Sequence, residues 1–126
     1  MWGKGALMAL GAALLSLALM APASAQTPGE LTFDITNNSG RTIQIEFYSQ
    51  DRRGHAWPGG NRAYDIANGD RRSLALSCVQ GEKICYGAWV KGAARTYWGV
   101  GLHGRYGCQA CCKQCGQDDF RTTLTP

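Results

Sequence analysis

Six cysteines carry most of the chemical potential of this chain: Cys78, Cys85, Cys108, Cys111, Cys112 and Cys115. Four of them stand in the octet Cys108-Gln-Ala-Cys111-Cys112-Lys-Gln-Cys115, two C-x-x-C units placed end to end. Three kinds of chemistry suit such a set. An even number of cysteines in a small exported chain forms disulfides by default, and the spacing leaves the pairing open, except that the neighbours Cys111 and Cys112 are poorly placed to bond each other. Four thiolates at i, i+3, i+4 and i+7 would fall on one helical face and could hold Zn(II) or the softer Cu(I). Structural zinc sites draw their cysteine pairs from separated segments, whereas these pairs abut. Redox exchange of the thioredoxin kind needs a βαβ setting and a helix N-terminus to depress the thiol pKa, and no βαβ pattern is present. Disulfides are therefore expected for all six, with Cys108, Cys111, Cys112 and Cys115 as an alternative metal site. No cofactor is expected otherwise.

The remaining chemistry-bearing residues are scattered. There are two histidines, His55 in a glycine-rich stretch and His103 just before the octet. Gly-x-Ser-x-Gly, phosphate-binding glycine loops and His-Glu-x-x-His are all missing. Asp34 and Glu46 sit on the polar faces of strand-like runs, and Asp65 and Asp70 flank a turn. Nothing positions two carboxylates at the separation a glycosidase needs. Trp57, Tyr64, Tyr97 and Trp98 lie in or beside loops, near Arg52, Arg53, Asn61 and Arg62. An exposed ring among polar donors suits a sugar ring, a cationic ligand or a protein partner. The expected ligand contacts are Arg52, Arg53, His55, Trp57 and Tyr64. Beside that stands the blander reading in which Trp57-Pro58 plugs one end of the fold. Tyr86, Trp89 and Trp98 are assigned to the core.

The elements that must position these residues are strands. Leu31, Phe33 and Ile35 alternate with polar residues, and Ile43, Ile45 and Phe47 do the same after the turn cluster Asn37-Asn38-Ser39-Gly40. This reads as an antiparallel hairpin. Ser49–Arg62 reads as a long loop, Tyr64–Ile66 as a short strand. Ser73–Val79 and Lys83–Val90 flank Gln80-Gly81-Glu82, which reads as a second hairpin with a type II′ turn at Gly81-Glu82. That register sets Cys78 opposite Cys85, within reach of a disulfide. Lys83–Val90 is then apolar on both faces and must be covered on both, by the first hairpin on one side and the cysteine tail on the other. Thr96–Val100 continues the meander. Gly101–Gly116 is irregular or one short helix, and Phe120, Thr122 and Leu124 mark a closing strand.

Met1–Ala25 has the form of a cleavable secretion signal: Lys4, an apolar run to Met20, then Ala21-Pro22-Ala23-Ser24-Ala25 before Gln26. Residues 26–126 are then one cysteine-rich β domain with no transmembrane segment left after cleavage. The net charge of +4 is mild and its arginines come as scattered pairs, which argues against nucleic acid. The expected fold is all-β, a small antiparallel β-sandwich or open barrel of about five to seven strands, with a disulfide-rich C-terminal segment packed on one sheet. The strand Phe33-Asp-Ile35-Thr-Asn37, together with a disulfide-rich β body, resembles the thaumatin-like proteins over about one strand. The acidic cleft and dense disulfide pattern of that family have no counterpart, and no function is carried over. The expectation is an exported binding module, periplasmic or secreted, for an extracytoplasmic protein or glycan. Metal binding by the octet is the second reading, and an enzyme acting on cell-envelope material the third.

Overall fold

The computed structural model describes Gln26–Pro126 continuously, together with the isolated positions Gly3, Gly5, Gly11, Ala13 and Ser16. The secretion signal expected over 1–25 otherwise lies outside the described residues. Among the described residues nine strands follow one another: β1 (Pro28–Asn37), β2 (Ile43–Ser49), β3 (Ala56–Trp57), β4 (Tyr64–Ile66), β5 (Arg71–Val79), β6 (Lys83–Val90), β7 (Ala93–Gly99), β8 (Cys112–Gln114) and β9 (Phe120–Leu124). They form two sheets, one ordered β5-β1-β9 and one ordered β3-β2-β6-β7, with β4 also on β2 and β8 also on β6. Of the two expected forms, sandwich or open barrel, the architecture is the sandwich, with more strands than expected because β3, β4 and β8 are only two or three residues long. Among the described residues, no helix is long and apolar enough to cross a membrane.

Alternation builds the core. Leu31, Phe33 and Ile35 of β1 and Leu74, Leu76 and Cys78 of β5 face Ile43, Ile45 and Phe47 of β2 and Ile84, Tyr86 and Ala88 of β6. Phe33 lies at the centre, its ring 4.5 Å from Phe47 and 5.2 Å from Phe120. Emptying such a site costs about 3–5 kcal/mol. Two tryptophans close the open sides between the sheets. Trp57 on β3 donates its indole N–H to Ser77 O of β5 at 3.0 Å, and Trp98 on β7 donates to Thr125 O beyond β9 at 2.8 Å.

Neither expected hairpin forms. β1 pairs antiparallel with β5 and parallel with β9, while β2 pairs with β3, β4 and β6. Asn37–Gly40 is a corner between the sheets. The fully buried Asn37 amide donates to Arg41 O (2.8 Å) and Ile66 O (2.9 Å), and its carbonyl oxygen accepts from Ser39 N–H (3.0 Å) and Ser39 Oγ (2.7 Å). The second connection also changes sheets. Glu82 N–H donates to Val79 O at 2.8 Å, with Gly81 third in the turn at φ 84°. That is a type II turn centred on Gln80-Gly81, one residue earlier than the hairpin reading requires, and it sends β5 and β6 into opposite layers. Cys78 therefore does not face Cys85.

The octet is not a helix, and its cysteines go separate ways. Cys78 bonds Cys115, Cys85 bonds Cys112, and Cys108 bonds Cys111. The first ties the two sheets together. The second joins residues directly opposed in the β6–β8 ladder. Cys111 and Cys115 are buried in the core, so the tail packs on the sandwich as expected. In the loop-entropy account the links across 37 and 27 residues are each worth about 3.5–4 kcal/mol, and the short Cys108–Cys111 link about 2.

Candidate functional site

The outer face of the larger sheet carries the richest polar architecture. Because Ile43, Ile45 and Phe47 point inward, Gln44, Glu46 and Tyr48 of β2 point outward. Their neighbours across the sheet come in rows. Gln44 lies between Asp65 of β4 and Trp89 of β6, and Trp89 lies beside Tyr97 of β7. Hydrogen bonds run along this row: the Trp89 indole N–H donates to Gln44 Oε1 at 3.2 Å, Gln44 Nε2 donates to Asp65 Oδ1 at 3.1 Å, and Lys91 Nζ pairs with Asp65 Oδ2 at 2.6 Å. The next row is Glu46, Gly87 and Gly99. A Cβ at Gly87 would run into the carbonyl of Gly101 and the Tyr48 ring. The bare glycine is what lets the segment after β7 cross the sheet at backbone contact.

That crossing segment makes one wall of a cleft of about 650 Å³, and the loop between β2 and β4 makes the other. Gln44, Glu46 and Trp89 line the floor, His55 and Asn61 one wall, Leu102 and His103 the opposite one. A further hollow of about 370 Å³ shares Glu46, His55, Asn61 and His103 and adds Tyr48. Tyr48 is the post for the far wall: its hydroxyl accepts the His103 backbone N–H at 3.0 Å and donates to Gly101 O at 3.4 Å. His103 belongs to a 3-10 turn, Leu102–Gly104, and has left-handed backbone at φ 61°. Asn61 has φ 56°. These two are the non-glycine residues with positive φ among the described residues, and both line this cleft.

The electrostatics follow from burial. Desolvation pushes the Glu46 carboxyl above its ordinary range, and the His103 charge and Tyr48 hydroxyl pull against it without reversing it. Burial, reinforced by the Glu46 charge, pushes the Tyr48 phenol well up, so it stays a neutral donor and acceptor. Glu46 is the one carboxylate lining the cleft among the described residues, so a two-carboxylate glycosidase site is not assembled there. What the cleft offers is a set of hydrogen-bond donors and acceptors with one indole edge in its floor.

The chain was compared with models of known protein families, with curated proteins and with solved structures. None of them matches it.

The residues expected from the sequence to contact a ligand are dispersed. His55 is exposed, lines the cleft and meets the Trp57 ring edge-on at 4.6 Å. Arg53 is exposed in the same loop. Arg52 is turned away and grips Glu82, with Nε 2.6 Å from Oε2 and Nη2 2.9 Å from Oε1, while its guanidinium lies 5.6 Å over the Trp57 ring. The buried Glu82 carboxylate also accepts from Ser49 Oγ (2.5 Å) and Val79 N–H (3.0 Å). Burial pushes this carboxyl up, but the Arg52, Ser49 and Val79 bonds together outweigh it and bring it down to about 2. Tyr64 lies on β4 against the core, with the Arg72 guanidinium 5.5 Å over its ring. All six cysteines are paired, so the octet presents no thiolate. Among the described residues, no group of three or more His, Cys, Asp or Glu side chains is placed to hold a metal ion.

Glu46, Tyr48, Asn61, Trp89 and His103 were not singled out together by the sequence. The one available signal was the alternation that turns Gln44, Glu46 and Tyr48 away from the core.

Proposed function

We propose that this protein is an exported, extracytoplasmic binding module that takes a hydroxyl-rich ligand, a glycan, in the cleft on the outer face of its larger sheet. The observation that carries the reading is the pairing of strain with polarity: Asn61 and His103, the two non-glycine residues held at positive φ, both line the cleft around Glu46. Left-handed backbone at a side-chain-bearing residue persists where the surroundings enforce it, and such positions cluster at binding sites. Amide and imidazole groups on the walls above a carboxyl in the floor suit a ligand rich in hydroxyls. Three disulfides fit a small domain that works outside the reducing cytoplasm. Of the five residues read from the sequence as ligand contacts, His55 keeps that role in the cleft, and Arg53 is exposed in the same loop. Arg52, Trp57 and Tyr64 take supporting roles in this reading.

The test is co-sedimentation of the oxidised protein with peptidoglycan sacculi, chitin and cellulose, comparing the wild type with Glu46→Gln and Asn61→Ala. Retention on one of these polymers that falls in both variants, with both still folded and Glu46→Gln no less stable than the wild type, supports the reading. Retention on none of them, or equal retention of the variants, overturns it.

A further inference from the structure

Tyr97 and Tyr106 are the large hydrophobic side chains left exposed among the described residues, 39% and 44% accessible. Their rings stack face to face with centroids 4.0 Å apart and planes 10° off parallel. Tyr97 comes from β7, where it opposes Trp89 of the cleft floor. Tyr106 follows the 3-10 turn, and its backbone N–H donates to Val100 O at 3.1 Å. Gly101 lies against both rings: an added Cβ would fall 2.6 Å from Tyr106 Cδ2 and 3.2 Å from Tyr97 Cδ2. The backbone there is also left-handed, at φ 65°. The stack is thus set by the backbone beneath it and presents a flat aromatic face at the surface.

The segment that carries it has charge of one sign. From Lys83 to Gln117 the chain contains no Asp or Glu, while Lys83, Lys91, Arg95, Arg105 and Lys113 fall in that stretch. Arg95 stands two residues before Tyr97 and Arg105 directly before Tyr106. Both are exposed, and neither belongs to an ion pair among the described residues. We infer that Tyr97, Tyr106, Arg95 and Arg105 form a platform for an acidic polysaccharide, with the stacked ring under the C–H face of a sugar and a guanidinium on its carboxylate. A pyranose has the flat apolar face that one ring covers, and a uronate adds the planar anion a guanidinium binds in bidentate fashion. This platform lies one strand from the cleft and rests on its own four residues, so it stands apart from the cleft reading.

The probe is polygalacturonate, set against neutral dextran and poly-L-glutamate, with binding read by retardation in native affinity gels on the oxidised protein. Retardation by polygalacturonate and not by dextran is expected. Tyr106→Ala and Tyr97→Ala should each weaken it about 5–10-fold, as should the double variant Arg95→Gln/Arg105→Gln. Tyr97→Phe, which keeps the stack, should bind as the wild type does. The single variant Arg95→Gln should weaken it, while Arg41→Gln, a matched charge loss far from the tyrosines in sequence and on the corner between the sheets, should leave it unchanged. The arginine pair is exposed, so its variants keep the test open if a tyrosine variant fails to fold. No retardation overturns the inference. So does an equal effect of Arg41→Gln and Arg95→Gln, which would mean charge alone. Equal, tyrosine-dependent retardation by poly-L-glutamate would assign the platform to acidic peptides and overturn it as well.

Discussion

Asn61 and His103 reach one cleft from two different loops, and each holds the left-handed backbone that side-chain-bearing residues avoid, at φ 56° and 61°. Glycine adopts this conformation without the clash, and the strain at each position is worth about 1 kcal/mol. Asn61→Gly and His103→Gly should therefore hold or raise the midpoint of chemical denaturation while weakening retention on the bound glycan. A loss of stability with binding intact would show that both side chains serve the fold alone.

Glu46 is held above its ordinary carboxylate pKa by burial, so the folded state favours its protonated form. Its charged form opposes folding at neutral pH. That penalty sets in as pH rises from the ordinary value of 4.5 through the raised one. Glu46→Gln should raise the thermal midpoint at pH 7 and leave it unchanged at pH 4. Ligand affinity should titrate in the same window in the wild type and become flat in the variant. Melts and binding isotherms across pH 4–8 measure both.

Glu82 has the opposite sign. Its carboxyl is drawn down to about 2 from 4.5, so its contribution is present in full above 4.5 and is lost as pH falls through about 2. Glu82→Gln loses the charge that Arg52 grips and should cost about 2–3 kcal/mol at pH 7. The difference between wild type and variant should shrink toward pH 2. A difference that stays constant down to that pH would assign the cost to packing.

The three disulfides should rank by the chain they close. The double variant Cys85→Ser/Cys112→Ser should lose about 3.5 kcal/mol and Cys108→Ser/Cys111→Ser about 2. Peptide mapping without reduction should recover Cys78–Cys115, Cys85–Cys112 and Cys108–Cys111 as linked pairs. A Cys78–Cys85 peptide would contradict the two-layer arrangement of β5 and β6.

Asn37→Ala removes the buried amide that serves Arg41 O and Ile66 O. Urea denaturation should show a loss of about 2–4 kcal/mol. Asn38→Ala, at an exposed neighbour, should change little.

The contrast between those two asparagines marks where the sequence stopped being informative. Alternation at Leu31-Phe33-Ile35 and Ile43-Ile45-Phe47 says which side chains are buried, and all six are. It does not say which strand lies alongside. Both of β1's neighbours, β5 and β9, are distant in sequence, and period-two patterning carries no record of such partners. Asn37-Asn38-Ser39-Gly40 has the same turn chemistry in a hairpin as at a corner between layers, and Gly81 differs between the two readings by one position in the turn. The cysteine pairing expected for Cys78 failed because it inherited that register. The cleft was less legible still. His103 shares the cleft with Glu46 because the bare Gly87 lets the backbone at Gly101 lie against it, a contact no local pattern encodes.

The parallel pairing of Phe33 with Phe120, and of Asn37 with Leu124, also bears on the order of synthesis. A ribosome makes β1 before the other strands and β9 after them, yet β1 is the middle strand of its sheet. Its backbone must stay without one neighbour until residues 71–79 exist and without the other until residues 120–124 do. The link from Cys78 has to wait for Cys115 over nearly the same stretch. Contacts so far apart along the chain close slowly. The polypeptide therefore spends its whole elongation as an unfinished sandwich, closed only when its last strand has been made.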